Sequence, residues 1–75
     1  MQISKHESDL YLLPETTRER HNVQSFCKTR KVNYQWSFSD IEGQEWYGKQ
    51  FLEIPFGDYL KDDVKKEFNV TSCRA

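Results

Sequence analysis

The sequence is poor in the residues that punctuate or cross-link a chain: 3 glycines, 2 prolines, 2 cysteines and 1 methionine among 75 residues. With so few glycines, none clustered, a glycine-rich phosphate loop is excluded. Cys27 and Cys73 cannot build the dense disulfide framework of small secreted domains, and are expected as reduced thiols, one packed and one near an end. Long apolar runs are also missing. The stretch Leu10-Tyr11-Leu12-Leu13 is too short for the apolar segment of a secretion signal, about 7–15 residues, or for the roughly 20 of a membrane span. Net charge is lacking as well. Lys plus Arg number 11 against 12 Asp plus Glu, leaving -1, so no whole-molecule field steers the protein to nucleic acid or to an anionic membrane. These absences lead us to expect a cytoplasmic protein. The Asn69-Val70-Thr71 glycosylation pattern is then a coincidence.

What the chain does have is rings. Phe 5, Tyr 4 and Trp 2 make it 15% aromatic within a hydrophobic fraction of 36%. Each buried ring covers roughly 150–250 Å², so the aromatics are expected to dominate a single small core. The length allows one domain over 1–75, with residues 1–8 and 74–75 expected to be loose. Charge is unevenly spread. Arg18, Arg20, Lys28, Arg30 and Lys31 crowd one stretch with only Glu19 among them. The second half carries Asp40, Glu42, Glu45, Glu53, Asp58, Asp62, Asp63 and Glu67, diluted by four lysines.

The elements follow from periodicity. Asp9 to Leu13 reads as a short strand stopped by Pro14, which has no donor for a ladder. Thr16 and Glu19 have capping-box spacing, and Val23, Phe26 and Cys27 make an apolar stripe, so a helix is expected over about 16–29. Val32, Tyr34, Trp36 and Phe38 then alternate with polar residues, the mark of a strand with one buried face. From Gln44 on, Trp46, Leu52, Ile54 and Phe56 share one parity, and Tyr47 and Phe51 the other. A three-residue loop, Ile41-Glu42-Gly43, with Gly43 left-handed, would oppose Phe38 to Trp46, Trp36 to Gly48 and Val32 to Leu52. A last helix is expected over about 58–68, capped at Gly57-Asp58, with Leu60, Val64 and Phe68 buried. Asn69 suits its left-handed stop, Val70 is placed to fold back on it, and a short edge strand is expected over 70–73. The fold class is α+β: a small antiparallel sheet built on a central hairpin, about 31–39 and 44–54, with one or two helices on one face.

Chemistry-bearing constellations are scarce. His6, His21, Cys27 and Cys73 show none of the close spacings of a zinc site. His21 and Cys27, six residues apart, project about 120° from each other on a helix, out of reach for a nucleophile and its base. Asp62 and Asp63 diverge on a helix and share no proton. No cofactor motif is present. These readings point away from an enzyme and toward a small binding protein that modulates or inhibits a partner protein.

Two patches offer themselves. Tyr47 and Phe51 flank Lys49 on the outer parity of the hairpin. Asp58, Asp62, Asp63 and Glu67 make an acidic helix face, suited to a basic groove such as one that takes nucleic acid. The alternative is a single-stranded nucleic-acid-binding module, with hairpin rings stacking on bases and Arg18, Arg20, Lys28, Arg30 and Lys31 meeting phosphates. So short a chain resembles accessory inhibitors of the kind that phages and mobile elements carry, by association rather than physics. So small a core also makes a homodimer reasonable.

Overall fold

The computed structural model describes residues 1–40, 42–43 and 46–70. The chain forms β1 (Gln2–His6), β2 (Asp9–Leu13), α1 (Thr17–Thr29), β3 (Gln35–Phe38), β4 (Gln50–Ile54), a short 3₁₀ helix (Gly57–Leu60) and α2 (Lys61–Phe68). The four strands make one antiparallel sheet in the order β1-β2-β4-β3. Both helices cover one face of it, so the fold is α+β.

Register determines the buried face. Ile3 pairs with Leu12, Leu12 with Leu52, and Leu52 with Trp36. Leu10 pairs with Ile54. Directly paired residues point the same way, so one continuous apolar row crosses the sheet. Onto it pack Val23, Phe26 and Cys27 of α1, with Leu60 and Val64 from the C-terminal segment. The core is therefore mostly aliphatic, and Phe26 is the single ring in the buried cluster. Tyr34, Trp36 and Phe68 pack at its margin.

The helix boundaries follow their local chemistry. Thr16 Oγ1 accepts the Glu19 N–H at 3.1 Å. Glu19 Oε1 reaches back to the Glu15 N–H at 2.9 Å, one residue earlier than a capping box requires. At the other end, Asn69 is left-handed at φ 55. The Val70 N–H bonds the Lys65 carbonyl at 2.9 Å, the six-to-one bond of a Schellman stop, and Val70 packs against the core. Asp58 lies in the 3₁₀ helix rather than capping α2, whose N-cap position is Leu60. Of the edge strand expected over 70–73, Val70 is not in a strand and the remainder lies outside the described residues.

Four expectations are corrected. Residues 1–8 are not loose. Residues 2–6 form β1, because β2 offers an edge and Ile3, 1% exposed, supplies the inward contact. The central hairpin has a long connection instead of a three-residue loop: Trp36 faces Leu52 rather than Gly48, and Phe38 faces Gln50 rather than Trp46. Gly43 does adopt positive φ, at 92°, but the ladder begins well beyond it. An even shift keeps parity, so Trp36 and Leu52 still share the helical side.

Trp46, by contrast, is not on the buried face. It packs on Phe51 at 5.6 Å between ring centroids. Its indole N–H donates to Gln2 Oε1 at 3.1 Å, which sets the Trp46 ring on the far side of the sheet against β1. An indole N–H among aliphatic side chains would have no partner, and Gln2 supplies one. Finally, Phe56 does not join the core: it is 77% exposed.

Candidate partner-binding surface

The open face of the sheet is built from the alternate strand positions. Tyr11 meets Phe51 edge-on at 5.6 Å, and Phe51 meets Trp46, forming a half-buried ring cluster. Leu13, opposite Gln2, is buried on this side and lies outside the main core cluster. Glu53 sits between Tyr11 and Gln35 in the ladder and accepts from Gln35 Nε2 at 2.8 Å and Ser37 Oγ at 3.2 Å. Partial burial pushes the Tyr11 phenol pKa up, and the charges of Glu53, Asp9 and Glu7 push it further. The open face is thus aromatic and acidic.

A second surface forms at one end of the sheet, where the β1–β2 turn abuts the segment after β4. Asp9 Oδ1 accepts the Phe56 N–H at 3.0 Å. The Ser8 carbonyl accepts the Asp58 N–H at 3.0 Å. Lys5 Nζ donates to Asp58 Oδ1 at 3.0 Å. Gly57 is locked beneath: a Cβ there would sit 2.6 Å from Ile54 Cγ2 and 3.1 Å from Leu10 Cβ. Phe56 is held left-handed at φ 57, a conformation that a bulky residue rarely adopts. The result is a fixed turn whose two rings, Phe56 and Tyr59, are 77% and 72% exposed. Glu7 and Asp58 lie in these two turns, Asp9 opens β2 beside them, and exposed Asp62 and Asp63 follow in the first turn of α2.

The residues singled out from sequence therefore separate. Asp58 lies between Phe56 and Tyr59 in the 3₁₀ segment, and Asp62 and Asp63 follow in the first turn of α2. Glu67 instead lines a shallow groove of about 380 Å³ between the helices, with Arg30 and Phe68. Phe51 belongs to the open sheet face, and Tyr47, 52% exposed, to the connection next to Ser39. Phe56 and Tyr59 were missed. Pro55 interrupts the ladder, so strand parity cannot be carried past it to Phe56. Tyr59 falls off the Leu60-Val64-Phe68 stripe, which could have marked it as outward-facing.

The basic set does not form one patch. Arg18 and Lys28 are exposed on α1, and Lys31 follows it at φ 55. The Arg20 guanidinium lies 4.3 Å over the Trp36 ring and donates to Gln50. Arg30 lies 3.9 Å over Phe26. The ring cluster Tyr11, Phe51 and Trp46 occupies the face of the sheet opposite α1, beside carboxylates.

Cys27 is fully buried, and desolvation pushes its thiol up to about 11, which suppresses the nucleophilic thiolate at neutral pH. His21 is exposed. Among the described residues no three His, Cys, Asp or Glu side chains gather as a metal site would require, and no helix is long and apolar enough to cross a membrane.

Fold and surface together define a small α+β domain with an acidic, aromatic end. No family model, curated protein or solved structure matches the chain, so function is argued from these residues alone.

Proposed function

We propose that the chain is a non-enzymatic binding protein that docks on a basic surface of a partner protein, competing with the nucleic acid such a surface accepts. The observation that carries this reading is the Phe56–Tyr59 turn. Two large rings stand in solvent on a backbone locked by Gly57 and by the Asp9 and Ser8 hydrogen bonds. Rigid exposed aromatics are the usual anchors of protein interfaces. The surrounding carboxylates select a basic partner and speed its approach. Direct nucleic-acid binding is disfavoured, because the basic residues are dispersed and the ring cluster lies beside Glu53, Asp9 and Glu7.

Affinity capture from the source cells with the wild-type chain, a Phe56→Ala chain and an Asp62→Lys/Asp63→Lys chain tests the reading. A captured protein that oligonucleotide displaces, and that both variants fail to retain, supports it. A partner retained equally by all three chains removes the surface from consideration. A labelled oligonucleotide that binds the purified chain directly, with steep salt dependence, replaces the proposal with the nucleic-acid reading.

A further inference from the structure

The sheet has two edges, and they differ. Among the described residues β1 pairs only with β2, and β3 only with β4. β1 turns Lys5 toward the helical face, where it is tied to Asp58. An inward-pointing charge is one of the ways natural sheets block edge-to-edge pairing. β3 has no such guard among the described residues. Its strand reads Gln35-Trp36-Ser37-Phe38, and the stretch from Val32 to Ser39 holds no Lys, Arg, Asp or Glu. No longer uncharged stretch occurs in the chain. Phe38, at the end of this edge, is 61% exposed, and Tyr47 beside it is 52% exposed.

We infer that β3 is the edge through which two copies of this chain pair antiparallel, joining their sheets across a two-fold axis. The neutrality of the edge is what selects a second copy. Identical partners carry identical charge, so a charged strand repels itself, whereas no side chain of β3 itself meets a like charge on self-pairing; the Glu53 carboxylate that Gln35 and Ser37 bond belongs to β4, one strand in from the edge. Self-pairing must also keep residues of one face together. With Ser37 opposite Ser37 of the second copy, Trp36 faces Phe38 and Gln35 faces Ser39. Both aromatic contacts then fall on the helical side, and Gln35 and Ser37 keep the open side that they already take in β3. The contact is isologous, so it closes at two copies. It covers Phe38 and gives partners to the outward backbone groups of β3. The Phe56–Tyr59 turn lies away from this edge and stays free in both copies.

Sedimentation of the full chain from micromolar to millimolar concentration tests this. The wild type shows a reversible monomer–dimer equilibrium. Phe38→Lys weakens association at least about tenfold while the far-ultraviolet spectrum and thermal midpoint hold, because the ring is largely in solvent. Register is tested separately by Ser37→Cys in a Cys73→Ser background. Opposed Cα atoms in an antiparallel pair lie about 4.5–5.5 Å apart, within disulfide range. Mild oxidation should therefore link the two Ser37→Cys copies and leave a Ser4→Cys control unlinked. A chain that stays monomeric throughout, a dimer unchanged by Phe38→Lys, or equal linking of the Ser4→Cys control overturns the inference.

Discussion

Glu19 joins three parts of the chain through one carboxylate. Its Oε1 accepts the Glu15 N–H and its Oε2 accepts the Met1 ammonium at 3.0 Å, while its own N–H is held by Thr16. The Glu15 N–H is the main reason its pKa falls below the ordinary 4.5; partial burial opposes the shift, and the ammonium and the Thr16 N–H add to it. A depressed folded pKa contributes stability above the unfolded value, and that contribution fades as pH falls through the folded one. Glu19→Gln should therefore cost about 1 kcal/mol at neutral pH, a drop of roughly 4–8 °C in Tm for a domain of this size. The gap should close below pH 4.5. Thermal melts of both proteins between pH 3 and 7 check it, and a gap independent of pH would assign the effect to side-chain shape. The Thr16–Glu19 spacing was legible in the sequence as a helix start. The Met1 contact was not, because it exists only once β1 has brought the N-terminus to α1.

At the scale of elements, β1 decides where the rings go. In Gln2-Ile3-Ser4-Lys5-His6 only Ile3 is apolar, too thin a pattern to announce a strand without its neighbour. Once paired with β2, it adds Ile3 to the row of Leu12, Leu52, Leu10 and Ile54. That aliphatic row fills the space that the sequence reading assigned to aromatics, and it leaves Phe38, Tyr47, Phe56 and Tyr59 on the surface. If β1 is integral, Ile3→Ala should cost about 2–5 kcal/mol, as buried aliphatic truncations do. A loose N-terminus would make the same change nearly silent. Urea unfolding separates the two outcomes through the midpoint at unchanged slope.

The two helices and the parity of β3 and β4 were readable, because period and capping are local. The register was not. Ring pairing favoured a tight hairpin, whereas the indole of Trp46 takes its partner from Gln2, 44 positions away in the chain.

At the scale of the whole molecule, the basic residues of α1 and the carboxylates beside Tyr11 lie on opposite faces of the sheet. The exposed basic residues of α1 lie on the helical side. The carboxylates nearest Tyr11 lie on the open side, and those of the Phe56–Tyr59 turn lie at one end. Such an arrangement turns a nearly neutral protein into one with a directional surface. Phe56 gives the sharpest test of whether that end evolved for binding. Its left-handed backbone costs a bulky residue roughly 1–2 kcal/mol relative to glycine, and glycine returns part of this as unfolded-state entropy. Phe56→Gly should therefore leave stability unchanged or raise it by up to about 1 kcal/mol, while partner affinity falls at least about tenfold. Urea midpoints and titration calorimetry on the captured partner measure the two quantities on the same preparations. A fall in both would make Phe56 a structural residue. Unchanged affinity would leave its exposed ring without a role. Retained or gained stability together with lost binding is the signature of strain kept for recognition.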